Sequence, residues 1–206
     1  MSNAAAPSSC GAIVLAAGAS TRLGQPKQLL EIDGESLLRR TVRLAAKGGC
    51  SPIFVVLGFE SERMSKELHD LEAKPVLNPD WQSGMASSLR SGIRTMMNET
   101  PEPQKTLILL CDQPSLSVDI LSRLLRVGAE KNSLITASSY AGRFGVPAIF
   151  DKQLYPDLLK VAGDQGARLV IQRFSGQIST IEFPGGGIDI DTQEDLANLD
   201  WVHTGG

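Results

Sequence analysis

Residues 12–27 read AIVLAAGASTRLGQPK, a run that passes from apolar to small to cationic within one short span. Ala12–Ala17 is unbroken apolar sequence ending on Gly18, the pattern of a short strand buried on both faces. The loop after it is built of small residues and carries two cations, Arg22 and Lys27. Gly18 and Gly24 let backbone amides approach a ligand that a side chain would keep away. With the Ser20 hydroxyl and the two cations, these amides make a polyphosphate site. A Walker A loop is excluded, since Gly24 is followed by Gln25-Pro26-Lys27, and no GxGxxG fingerprint is present. The same residues also serve a plain strand-to-helix turn with solvated Arg22 and Lys27, so this span alone leaves both readings open.

Outward from it, strand-like and helix-like segments alternate. The pattern predicts a helix over Ser36–Lys47 stopped by Gly48-Gly49, a strand over Pro52–Leu57, a helix over Ser61–Leu71 and a strand over Lys74–Leu77. A helix over Met85–Met97 and a polar, Pro-rich loop over Glu99–Gln104 lead to Thr106–Cys111, the most apolar strand. A helix over Val118–Ala129 and strands over Leu134–Ser138 and Val146–Phe150 come next. Helices over Gln153–Leu159 and Ala167–Phe174 and a strand over Ile178–Phe183 precede Gly185–Gly187, and Thr192 caps a last helix through Leu199. Such alternation predicts a three-layer α/β/α, Rossmann-like fold with a mostly parallel central sheet. The expected organisation is a flexible leader over 1–9, a single domain over 10–201 and a frayed tail over 202–206.

At 206 residues, 42% hydrophobic and 21% charged, the chain suits one globular domain and not a disordered segment. Twenty basic against 23 acidic residues give no electrostatic footprint for nucleic acid or anionic lipid, and no apolar run reaches the length of a membrane span. Cys10, Cys50 and Cys111 cannot all pair and show no metal-ligand spacing, so reduced thiols in a cytoplasmic protein are expected. His69 lies on a polar helix and His203 in the tail, and neither completes a catalytic triad.

Ligands in such sheets bind beyond the carboxyl ends of the strands. That rule selects the loop after Ala17 and Asp112, which follows the most apolar strand in CDQP. A carboxylate fixed there is a hard-cation ligand, and a turn aspartate before Pro114 uses the same residues equally well. Asp189 and Asp191, in GIDIDTQEDL, share one side of an extended segment. Glu194 and Asp195 complement the helix macrodipole instead. In WQSGMASSL (81–89), Gly84, Ser87 and Ser88 open a helix, where small residues and hydroxyls suit an ordinary cap or the edge of a nucleobase. Trp81 reads as a partly buried core residue.

LxAGxSxRxGxxK after a first strand resembles the signature of nucleotidyltransferases with a glycosyltransferase-A-like fold, the MobA-like NTP transferase family. Leu15-Ala16-Ala17-Gly18, with Ser20, Arg22, Gly24 and Lys27, most resembles the molybdenum cofactor cytidylyltransferases; guanylyltransferase relatives read LAGG. DQP, where guanylyltransferases often have DMP, makes Gln113 a second vote for cytosine. The resemblance runs from Ala12 to Leu199, with its motifs in the family's order. It implies that Asp112 and Asp191 hold Mg²⁺ (Mn²⁺ as substitute), with Asp189 as a supporting group. It also implies that Leu15, Ala16, Ala17, Gly18, Ser20, Arg22, Lys27, Gly84, Ser87 and Ser88 bind the nucleotide. Gly145 and Pro147 resemble the family's Gly-x-Pro strand, and Gly163–Arg168 its GDxGAR motif. Arg143, Gly145, Pro147, Asp164 and Arg168 are thereby assigned to the acceptor. Val146 stands where many relatives carry histidine, and Gln193 where they carry proline.

The implied reaction is CMP transfer from CTP to the terminal phosphate of molybdopterin, releasing pyrophosphate. The acceptor's phosphate is the nucleophile, so the protein's task is positioning and charge neutralisation, with Arg22, Lys27 and Asp112 as the catalytic set. The implied partners are the nucleoside triphosphate, the molybdopterin acceptor, and an apo-molybdoenzyme or its maturation chaperone that receives the product. The alternatives are a guanylyltransferase using GTP and a cytidylyl- or uridylyltransferase acting on a sugar or polyol phosphate.

Overall fold

The computed structural model describes residues 10–20, 23–131, 133–188 and 190. It opens on β1 (Cys10–Leu15), buried along its whole length. A small hairpin, β2 (Glu31–Ile32) with β3 (Glu35–Ser36), leads into α1 (Leu37–Lys47). Then come β4 (Ile53–Leu57), α2 (Ser61–Lys66), β5 (Lys74–Leu77), α3 (Met85–Met97), β6 (Lys105–Leu110) and α4 (Val118–Glu130). The last third holds β7 (Ile135–Tyr140), β8 (Arg143–Asp151), α5 (Tyr155–Leu158), α6 (Arg168–Arg173) and β9 (Ile178–Glu182).

The main sheet has seven strands in the order β5-β4-β1-β6-β8-β7-β9. Every pairing is parallel except those of β8, which runs against both β6 and β7. Alternate residues of β1 feed opposite cores: Ala12 and Val14 join α1 and α4 on one face, Ile13 and Leu15 join α3, α5 and α6 on the other. Two covered faces explain why β1, β4 and β6 read as continuous apolar runs, as a three-layer α/β/α fold requires. All three cysteines are free and buried. Among the described residues no helix is long and apolar enough to cross a membrane.

The sequence signals at α1 are those of an amphipathic helix with a defined start. Ser36 Oγ accepts from the Arg39 amide at 3.3 Å and donates to Glu67 at 2.7 Å, and Gly49 ends the helix with a φ of +87°. Ser36→Ala is expected to lower stability by about 1 kcal/mol, the usual cost of an N-cap; a urea denaturation curve measures it.

Several element boundaries differ from expectation. The helix expected over Ser61–Leu71 stops at Lys66, because the amides of Glu67, Leu68 and Leu71 bond three residues back rather than four. The helix expected over Gln153–Leu159 divides into a 3₁₀ turn and α5, with Pro156 lacking the amide that would join them. The helix over Ala167–Phe174 shortens to α6, and Gly185–Gly187 form a 3₁₀ turn with Pro184. The expected strand Val146–Phe150 is the longer β8, returned against β7 by a two-residue turn at Ala141 and Gly142 with φ of +49° and +70°. The leader 1–9, Arg22, Asp189, Asp191, the helix from Thr192 and the tail 202–206 lie outside the described residues.

Candidate active site

From β1 the chain runs outward through β4 and β5, then returns to lay β6 on β1's other side. The carboxyl ends of β1 and β6 therefore flank a topological switch point, where parallel α/β sheets bind ligands. Two adjoining cavities open there, of about 340 and 600 Å³. Leu15, Met85, Leu110 and Asp164 line both, so the two share one wall.

The smaller cavity is bounded by Leu15–Gly18 on one side and by Lys27 and Asp112 on another. Lys27 opens a 3₁₀ turn, and its ammonium pairs directly with Asp112 Oδ2. Both side chains are less than one-fifth exposed. Asp112 Oδ1 is buried with no hydrogen-bond partner. A fixed carboxylate with one spare oxygen, facing a cavity large enough for part of a nucleotide, fits a magnesium ligand, because Mg²⁺ takes one or two carboxylates and completes its shell with water and phosphate. Among the described residues no cluster of three or more metal-ligating side chains forms. The main-chain carbonyl of Asp112 accepts from the Ile190 amide at 3.3 Å, which places Ile190 beside Asp112. Burial first, and the Asp112 charge second, push the Cys111 thiol up to about 12. Cys111 therefore stays protonated at neutral pH and supplies no thiolate beside the site.

Ser20 is not a wall of this cavity. With φ of +51°, it accepts from the Lys27 amide at 3.2 Å and closes the loop onto Lys27. Gln28, which sequence reasoning missed, is almost completely buried; its amide donates to the carbonyls of Ala16 at 3.0 Å and Gly18 at 2.7 Å. It staples the small-residue loop at both ends. The only local signal was a polar residue preceding Leu29-Leu30 in a segment that otherwise packs inward.

Another wall of the smaller cavity is built at the start of α3. Gly84 adopts φ of +102° and ψ of 171°, and an added Cβ there would lie 2.5 Å from Asp164 Oδ1 and 2.7 Å from the Gly163 carbonyl. The Gly163 carbonyl accepts from the Ala86 amide at 2.9 Å. The loop of GDQGAR thus rests on the helix start only because residue 84 has no side chain. Ser87 is turned inward, donating to the carbonyls of Asp80 and Gly84 at 2.9 Å. Ser88 faces the cavity, and its oxygen accepts from buried Asn78 at 3.0 Å, so its proton is directed elsewhere. Asn78 is a second residue that sequence reading missed. Trp81 is half-buried, edge-on to Phe59 at 5.8 Å, and also borders the cavity.

The larger cavity gathers most of the expected acceptor residues. Arg143, Gly145, Asp164 and Arg168 line it, together with Val146, Tyr140 and Phe144. The Arg143 guanidinium lies 5.8 Å from the Tyr140 ring centre. Pro147 is buried and lines neither cavity; its carbonyl accepts from Ser138 at 2.8 Å.

Known proteins resemble this chain in sequence and in fold. Over 198 residues, 91% of this chain and 94% of the relative, the sequence is 31% identical to the nicotine blue oxidoreductase of Paenarthrobacter nicotinovorans. It is 25% identical over 192 residues to the molybdenum cofactor cytidylyltransferase of Escherichia coli K12, covering 89% of this chain and 92% of that one. The crystal structure of Rv0371c from Mycobacterium tuberculosis matches with a TM-score of 0.78 at 25% identity, over 94% of this chain and 98% of that one. Its manganese complex matches with a TM-score of 0.74 at 25% identity, over 93% and 97%. The glycosyltransferase-A-like fold expected from the motifs is the fold observed. The family model for the MobA-like NTP transferase domain spans residues 12–178, from the first strand into the last, and the chain is an enzyme that belongs to that family of nucleotidyltransferases.

Proposed function

We propose that this enzyme transfers CMP from CTP to the terminal phosphate of molybdopterin, forming the cytosine dinucleotide and releasing pyrophosphate. The observation that carries the reading is the Lys27–Asp112 pair at the edge of the smaller cavity, which shares a wall with a larger cavity carrying Arg143 and Arg168. An anionic acceptor held by those arginines would reach the α-phosphate across the shared wall. An acceptor phosphate oxygen attacks the α-phosphorus, the bond to the β-phosphate oxygen breaks, and pyrophosphate leaves with the electron pair. No side-chain nucleophile is needed, in keeping with the protonated Cys111.

Lys27, with Arg22, offsets the negative charge that grows on pyrophosphate. Asp112, with Asp191, would hold Mg²⁺ (or Mn²⁺), whose charge polarises the α-phosphate. The Gln28 staple holds Ala16–Gly18 ready for the nucleotide, so little ordering is left to be done on binding. Cytosine is supported by Ala17 in LAAG and by the relative named a cytidylyltransferase. The product class makes an apo-molybdoenzyme or its maturation chaperone the recipient, in the cytoplasm.

The test is pyrophosphate release with Mg²⁺, using CTP or GTP, with and without molybdenum-loaded molybdopterin. Release that requires the pterin and prefers CTP is expected. Preference for GTP would make the enzyme a guanylyltransferase, and release only with a sugar or polyol phosphate would move the acceptor. The 31% identity to a relative named an oxidoreductase favours a second reading, redox chemistry on a heteroaromatic compound. Oxidation of an added reduced pyridine nucleotide by an added heteroaromatic acceptor, with no pyrophosphate formed from CTP or GTP, would establish it instead.

A further inference from the structure

The β6–β8 ladder ends at Ile108 opposite Ala148, two residues short of the end of β6. On β8's other edge, the register with β7 jumps from Ala137–Ala148 to Ser138–Gly145, leaving Val146 and Pro147 as a bulge. β8 therefore peels away from β6 just where the larger cavity opens between Leu110 and Gly145. The bulge leaves the Val146 and Pro147 carbonyls outside the ladder, and bulges beside active sites commonly re-aim a strand. Side chains satisfy both: Ser138 donates to Pro147, while Tyr140 Oη at 3.0 Å and Gln113 Nε2 at 3.1 Å donate to Val146.

Gln113 is the neighbour of Asp112 and is buried at 4% exposure. Its amide also donates to the Gly186 carbonyl at 3.0 Å, and its Oε1 is buried without a partner. It lines neither cavity.

We infer that Gln113 is a positioning residue that spans the gap between β6 and β8 and sets the distance between the Asp112 carboxylate and the Gly145–Val146 wall of the acceptor cavity. This rests on the proposed transfer reaction for its kinetic consequence and on the fold alone for its structural one. In-line attack needs the acceptor phosphate placed to within about an ångström, and a misplacement of that size costs on the order of a hundredfold in rate. Gln113 acts on the acceptor side and leaves nucleotide choice alone.

Gln113→Met keeps the volume and removes both hydrogen bonds. Three measurements on the full chain test it: amide hydrogen exchange across 143–146, CTP and GTP affinity by calorimetry, and transfer kinetics. Exchange in that segment is expected to speed by roughly tenfold or more, since each lost bond is worth about 1 kcal/mol. Affinities for CTP and GTP stay within about twofold, while KM for the acceptor rises and kcat falls by roughly tenfold or more. Unchanged exchange at 143–146 overturns the tie. A changed ratio of CTP to GTP affinity overturns the acceptor-side assignment. If wild-type enzyme shows no transfer to molybdopterin, the proposed function fails, and the exchange and affinity results still decide the role of Gln113. Should Gln113→Met fail to fold, Gln113→Leu at reduced temperature takes its place in the same exchange measurement.

Discussion

Lys27→Ala and Asp112→Asn each lower kcat for pyrophosphate release by on the order of a hundredfold or more, the effect of removing one electrostatic contact from developing charge. The two losses have different signatures. Lys27→Ala removes the cation at the mouth of the β1 loop, so its deficit falls on the chemical step and persists at saturating Mg²⁺. Asp112→Asn preserves shape but weakens the hold on the divalent ion, so its half-saturating Mg²⁺ rises. Because the two side chains pair with each other, the double variant should cost less than the product of the singles. Far-ultraviolet circular dichroism should be unchanged, since both groups border a cavity rather than the core. Near-wild-type turnover in both single variants would remove the pair from the mechanism.

Gly84→Ala is expected to be the most damaging single-methyl change near the site. The backbone there, at φ of +102° and ψ of 171°, lies in a region held almost exclusively by glycine, and a residue forced into it costs about 1–3 kcal/mol. The new methyl would also meet Asp164 Oδ1 and the Gly163 backbone. Either α3 loses its bond from Ala86 to Gly163, or the 163–168 loop moves outward and both cavities lose their shared wall. Urea denaturation should show the stability loss, and calorimetry a weaker CTP affinity. A variant that binds CTP normally at full stability would show that the shared wall tolerates displacement.

The strands were legible where burial on both faces left no choice of residue. Ala12–Leu15 and Leu107–Leu110 are apolar at every position because both faces are covered by helices. β8 was legible only in part. Its first residues, Arg143-Phe144-Gly145, are exposed or short, and the turn at Ala141-Gly142 lacks the Asn-Gly signal that marks such hairpins. Its direction is a property of pairing, which no single segment encodes. The helix extended too far past Lys66 fails for a similar reason: Met64, Leu68 and Leu71 all pack on one core, but a tightened turn reaches it as well as a helix does.

By itself the sequence determined the α/β class, the small-residue loop with its lysine after β1 and the aspartate at the end of β6, because each rests on residue chemistry in a local frame. Lys27 and Asp112 stand 85 positions apart, yet each was found separately, from the strand that precedes it. Gln28, Asn78 and Gln113 were decided only by the tertiary structure. An amide side chain carries no signature of its own; its role exists only once two distant carbonyls or a hydroxyl are brought within about 3 Å. The shared wall of the two cavities was decided there too, since Leu15, Met85, Leu110 and Asp164 come from four segments that meet only when the sheet closes.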